Sequence, residues 1–380
     1  MNMPGHDQPD GDTVGEHLPT PAVYQPWLDG GPIIKPGLRR LGADTGQESA
    51  DERVFQLDQD WRRYQDAKAA VRQGAFHRCV GVDRLSAQTL AAAVRWVGLR
   101  LSAEWPGMFS YADEGEVWTL ECGLSGDRLA FDGDGLLKAA GDSRWDAGVG
   151  SGNPPVGRPA ALGSRDVPGV QEGLEAQVRA VDGLAVQVQE DFCIMQRRGD
   201  QHWLATVHVC LPSHWEPAAK LGCHFAGIHA AVPEMEAINS RQAAWVDQMI
   251  MSDPPTVRFV WGAQWDDQLC RLPGLSPMAS TMPKPAMPEQ AMSQHAISGQ
   301  AAPLHIRVER QVIVGLPDVD ASLFLIRPYV MPAASLSAES RTALANRAAS
   351  MSPELRAYKG LGDARMWRAA MDQLRRGECS

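Results

Sequence analysis

Four of the ten histidines fall between positions 208 and 229, in HVCLPSHWEPAAKLGCHFAGIHAAVP, with Cys210 and Cys223 among them. Imidazole and thiolate are the usual ligands of zinc. The spacing argues against such a site here, because the stretch holds no HExxH, no CxxC and no HxxxH. His229 is the most informative of the four. Lys220-Leu221-Gly222 reads as a helix end with a glycine stop. Residues 223–229 then form a short second helix, ended before Pro233. On it Phe225, Ile228 and His229 share one face by i, i+3 and i+4 spacing. A histidine beside Phe and Ile suits an axial ligand to heme, which is apolar over most of its area and commonly held by one imidazole. The other reading is a core histidine bonded to a carbonyl, and from spacing alone that reading is the stronger.

Two arginines also occupy positions where a cation needs an explanation. In HIRVERQVIV (305–314), alternation puts Arg310 with Ile306, Val308, Val312 and Val314, while Arg307, Glu309 and Gln311 face the other way. In ASLFLIRPYV (321–330), Arg327 shares a face with Leu323, Leu325 and Tyr329. An unpaired charge on an apolar face is costly. Either an internal carboxylate answers these cations, or a bound anion such as a heme propionate does. Taken alone, the pattern favours the salt bridge.

The elements that must position these groups are legible by period. Residues 305–314 and 321–330 form one hairpin across Gly315–Asp318. Residues 184–195 and 203–211 form another across Arg197–Asp200, and 116–122 are a further strand. Helices are expected at 57–73, 86–102 (with Ser86 as cap), 171–181, 234–250, 335–349 and 364–376. Strands joined by short turns are antiparallel, so the fold class is α+β, with helices packed on one side of the sheet. Residues 1–24 read as a disordered tail, 25–362 as the main domain and 363–380 as a C-terminal helix and tail. The stretches 141–168 and 273–303 are dense in Gly, Pro, Ala and Ser and read as surface insertions.

Composition narrows the function classes. A net charge of -10 disfavours duplex nucleic acid and anionic membrane as main partners. No stretch approaches the roughly 20 apolar residues of a membrane span, and the N-terminus does not read as a secretory signal. Seven scattered cysteines without a CxxC suggest reduced thiols in a cytoplasm and no iron–sulfur cluster. There is no GxGxxG after a strand, no GxxxxGK[ST] and no GxSxG. A chain that needs electrons would therefore take them from another protein.

Seven segments in order carry a resemblance: QEDFCIM (189–195), CLPSHWEPAAKLG (210–222), IHAAVP (228–233), VRFVW (257–261), RVERQVIVGLP (307–317), LFLIRPYV (323–330) and AYKG (357–360). With WLDGGPIIKPGLRRL (27–41) and LDQDWRRYQDAKAAV (57–71), they resemble the catalytic subunits of heme-dependent oxidative N-demethylases over most of 25–362. The resemblance implies a PAS-like antiparallel sheet with N-terminal helical elaboration, holding heme b. It implies oxidation of a small secondary amine such as dimethylamine to formaldehyde and a primary amine. Electrons would come from a separate flavin and iron–sulfur reductase. The carried-over positions are His229 as iron ligand, and Arg258 and Glu309 as polar groups near heme or substrate, with Arg310 and Arg327 available for the propionates. Three positions depart from the family pattern: Ala231 stands where Pro is usual, Val260 where Asn is, and Pro328 where Thr is. The alternative is a non-catalytic PAS-like protein that binds heme or a small ligand.

Overall fold

The computed structural model describes residues 18–30, 33–43, 52–141, 170–275 and 302–375. Among these, the chain runs β1 (Arg39–Arg40), α1 (Trp61–Cys79), β2 (Val80–Val82), α2 (Ala87–Glu104), β3 (Phe109–Asp113), β4 (Val117–Cys122), β5 (Arg128–Asp132) and β6 (Leu137–Gly141). It continues with α3 (Val170–Ala185), β7 (Asp191–Arg198), β8 (Gln201–His208), α4 (Phe225–Ile228), α5 (Glu236–Asn239), α6 (Gln242–Ile250) and β9 (Thr256–Gln264). Last come β10 (His305–Leu316), β11 (Ala321–Pro332), α7 (Ala338–Ala349), α8 (Pro353–Tyr358) and α9 (Ala364–Arg375). The α+β class holds. Seven strands form one sheet in the order β1-β9-β10-β11-β7-β8-β2, and β3 to β6 form a second, four-stranded sheet. Every strand pairing in both is antiparallel.

Both expected hairpins are present. β10 and β11 pair over their full length, from His305 opposite Pro332 to Leu316 opposite Ala321. Asp320 closes their turn with φ 54°, a left-handed conformation that Asp tolerates. Ser86 caps α2 by accepting the Thr89 N–H. Three expectations need correction. Residues 184–190 finish α3 and turn, so the strand begins only at Asp191. The helix expected over 234–250 is broken into α5 and α6 by Ser240–Arg241. Helices pack on both faces of the large sheet, not one. Of the expected insertions, 142–168 and nearly all of 273–303 lie outside the described residues, and Gly141 ends β6.

The coverage of the sheet's two faces is unequal, and that inequality positions the site. On the face of Arg310, Val312, Val314 and Leu325 join a core built on α2 and α3. On the same face, Ile306, Val308 and Tyr329 join a second core built on Trp27, α7 and α9. The opposite face is covered at one end, where Ile313, Phe324 and Cys193 meet Phe225, Val246 and Ile250. Gly315 lets α6 sit that close, since a Cβ there would collide with the Ile250 carbonyl. Farther along this face, Glu309 and Gln311 keep solvent-accessible surface although β10 is hydrogen-bonded on both sides. The sheet is therefore open above them.

Candidate functional site

The register of β9 and β10 sets Arg258 beside Gln311, Val260 beside Glu309 and Gly262 beside Arg307, so all six face the same way. Glu309 is fixed by its own strand: Arg307 Nε lies 3.3 Å from one oxygen and Gln311 Nε2 donates to the other at 3.1 Å. Arg307 is anchored in turn by donating to the Leu269 carbonyl at 2.7 Å. Arg258 is different. Its Nε is buried with no hydrogen-bond partner. Burial pulls its pKa down to about 10, against the attraction of Glu309. Tyr358 and Lys359 lie close enough for their charges to couple to both Glu309 and Arg258. Lys359 is buried, and that burial lowers its pKa to about 8. Gly360, at φ 82°, lets this segment press against the β9 edge, where a Cβ would meet the Ala263 carbonyl.

His229 enters the same neighbourhood from α4. His224 caps that short helix, its Nδ1 accepting the Gly227 N–H at 3.1 Å. His229 follows as the residue after the last turn, with its ring 4.4 Å from that of Phe225. Its Nδ1 is 2.8 Å from the Phe225 carbonyl. A carbonyl only accepts, so Nδ1 carries the proton and Nε2 carries the lone pair. Burial lowers the His229 pKa to about 4, and the nearby Arg258 cation works in the same direction. The imidazole is therefore neutral at pH 7, with one nitrogen tethered and the other without a hydrogen bond to any described residue. This is the arrangement in which a histidine presents a nitrogen to a metal.

The remaining histidines of that stretch do other work. His208 is fully buried against Asp182, His214 accepts from Arg271 at 3.1 Å, and His224 is the cap.

Arg310 and Arg327 do not join the site. The register puts them opposite one another, on the other face from Glu309. Arg310 donates to the carbonyls of Val54, at 3.0 Å, and Arg53, at 2.7 Å. Arg327 donates to Asp58 and to the Gln56 carbonyl, and its guanidinium lies 4.6 Å from the Tyr329 ring centroid. Their expected role as propionate ligands is therefore corrected. An internal carboxylate answers Arg327, backbone carbonyls answer Arg310, and both side chains are sealed at 0–1% exposure.

Sequence reasoning missed the cations that do lie near the open face. A cleft of about 160 Å³ at the β9 edge is lined by residues including Lys35, Arg39, Val260, Trp261, Arg347 and Lys359. Its acid, Asp29, is taken up by Arg39 at 2.6 Å. Arg347 Nε is buried without a partner. The signal was present in KPGLRRL and AYKG, but nothing in either segment says that they meet.

The donor set fits a heme. It offers an imidazole nitrogen without a partner, an apolar Phe–Ile flank, an orphaned guanidinium nitrogen and an adjoining cationic cleft. No helix among the described residues is long and apolar enough to cross a membrane. No curated protein matches the chain. Residues 46–368 match the family described as haem-dependent oxidative N-demethylase, alpha subunit-like, and the chain belongs to that family.

Proposed function

We propose that this chain is the heme-carrying catalytic subunit of an oxidative N-demethylase, with heme b held over the open face of a PAS-like sheet. The observation that carries the reading is His229: neutral, tethered through Nδ1, and with Nε2 lacking a protein partner beside Arg258. His229 would ligate the iron. Arg258, Lys359 and the cations of the adjoining cleft would face the propionates. Charge supports this assignment. Arg258, Arg307 and Lys359 surround the single carboxylate Glu309, a surplus of two positive charges that a pair of propionates would offset. With those cations occupied, Glu309 is left to hold an alkylammonium substrate.

When bound, heme supplies the oxidising chemistry: with O2 and two electrons from a separate flavin and iron–sulfur reductase, an N-methyl group leaves as formaldehyde and water forms. The protein's share is to orient a small secondary amine such as dimethylamine and to hold its charge. A second reading, a heme or small-ligand binding protein without turnover, draws on a specific feature. Val260 and Pro328 are the direct cross-strand neighbours of Glu309, and both are apolar where the family is usually polar.

The test is heme content and the ferric absorption spectrum of wild type and His229→Ala, followed by turnover. Wild type is expected to bind about one heme per chain, and His229→Ala to lose it or change its ligand-field bands. Wild-type heme content with an unchanged spectrum in His229→Ala would overturn the ligand assignment. Formaldehyde release with reductase, NADPH and amine supports the enzyme. Heme binding without release under those conditions favours the second reading.

A further inference from the structure

A second group of donors lies two strands away from Glu309, where β7 begins and β8 ends. Asp191 opens β7, His208 closes β8, and Cys210 follows two residues later. Each is at most 1% exposed. One ligand atom from each, the imidazole nitrogen, the thiol sulfur and a carboxylate oxygen, lies within 4.8 Å of the others.

His208 supplies the independent observation. Its Nε2 is 2.9 Å from Asp182, and Asp182 is also clamped by Arg72, whose Nε donates at 2.8 Å. Arg72 donates to both Asp182 oxygens, so the carboxylate accepts, His208 Nε2 carries the proton and Nδ1 carries a lone pair. That Nδ1 is buried and has no hydrogen-bond partner. A carboxylate fixing one imidazole nitrogen while the other is left without a partner among the described residues is the outer shell of a metal-bound histidine.

We propose that Asp191, His208 and Cys210 form a buried structural zinc site, with Cys79 as the fourth donor. A mixed nitrogen, sulfur and oxygen set excludes magnesium and calcium, which take oxygen alone, and suits zinc in a closed tetrahedral site. Cys79 is buried at the end of α1, next to Val80, which pairs with His208, and its carbonyl accepts the Val209 N–H at 2.9 Å. Charge balances in both states. Without metal, the Lys68 ammonium, 3.8 Å from Asp191, offsets that carboxylate. Zinc displaces the protons of two thiols, so two positive charges enter and two leave, and Lys68 remains the counter-ion. The absence of a CxxC says nothing against this site, because its ligands come from three separate elements.

The test uses the full-length, heme-loaded protein grown with zinc and dialysed. Elemental analysis is expected to give about one zinc per chain beside the heme iron. Cys210→Ser, nearly isosteric, is expected to lose the zinc while keeping its heme and its elution volume. Asp182→Asn, which keeps the ligands but loosens the imidazole, should bind zinc roughly 10- to 100-fold more weakly. Chelator should lower the thermal midpoint of wild type, and added zinc should restore it with release of about two protons per zinc. Wild type that holds no zinc, with a midpoint indifferent to chelator and zinc, would overturn the proposal. So would zinc retained undiminished in Cys210→Ser. Should the variants not fold, the wild-type arms decide alone.

Discussion

The two faces of strands β9 to β11 carry the same kind of residue to opposite ends. On one face, Arg310 and Arg327 lie within the apolar core, and protein acceptors meet both guanidinium groups. On the other, Arg258 is also drawn out of water, yet it donates to no acceptor among the described residues and its charge is disfavoured. The chain alternates between these outcomes every residue: Glu309 faces the open side and Arg310 the sealed one. Burial of a charge therefore does not mark a site. What separates the two faces is whether protein acceptors meet the guanidinium group at all, since the Nε of Arg327 is itself buried without a partner. On the sealed face those acceptors come from a segment 250 or more residues distant, Arg53 to Asp58. On the open face no hydrogen bond from Arg258 to a described residue offsets its burial.

The contrast predicts opposite responses to the same substitution. Arg327→Leu removes a cation and strands Asp58, a carboxylate buried at 4% exposure. Breaking a buried pair in this way costs about 3–5 kcal/mol. Urea denaturation should show that loss, in soluble protein or as failure to accumulate. A loss below about 1 kcal/mol would mean that Asp58 finds another partner, and the sealed face would not be the closed network described.

Arg258→Leu should behave differently. No strong donor–acceptor pair is broken there, and a disfavoured buried charge is removed, so stability of the heme-free protein should change by less than about 1 kcal/mol, in either direction. The cost should appear in heme retention, measured as transfer to a heme scavenger, because the orphaned guanidinium is lost. A destabilisation as large as that of Arg327→Leu would place Arg258 in the structural network and erase the distinction between the faces.

Much of this fold was readable from period and punctuation. The two hairpins follow from alternation bounded by Arg197–Asp200 and Gly315–Asp318, and α2 follows from Ser86 and its apolar face. Alternation likewise separated Glu309 from Arg310. Other parts were not readable, for physical reasons. VRFVW was visible as a motif but not as strand β9, whose apolar residues fall on both faces. Three of the four strands of the small sheet are five residues long and went unread. The partners of Arg310 and Arg327 were hidden because RVFQLD (53–58) carries no mark that it crosses the sheet. Arg327 matched the expectation of an internal salt bridge, while its proposed propionate role failed. Lys359 and Arg347 reach the site's edge only through tertiary packing of α7 and α8. His229 was found by helical spacing, but the tether from Nδ1 to Phe225 needed three dimensions.

The smallest expected effect is also confined to the open face. An unfolded histidine titrates near ~6.5, whereas His229 in the fold titrates at about 4. Between these values the unfolded chain binds a proton that the folded chain does not. Stability therefore rises with pH across that window. The contribution of His229 is fully present above the unfolded value and is lost as pH falls toward the folded one. His202 and His214 also titrate below the ordinary histidine range, so the whole acid limb does not belong to His229. The difference between wild type and His229→Gln isolates it. In heme-free protein, urea midpoints should converge as pH drops from ~6.5 to ~4 and run parallel above that. Parallel curves throughout would mean that His229 is solvated in the fold, and its Nε2 would no longer be distinguished as a waiting ligand. Bound iron would deepen the effect, since it occupies the nitrogen that the proton needs. Heme release from wild type should then lag the acid limb of the heme-free protein. Release that instead tracks a group titrating near ~6.5 would point to a less buried histidine than His229 as the ligand.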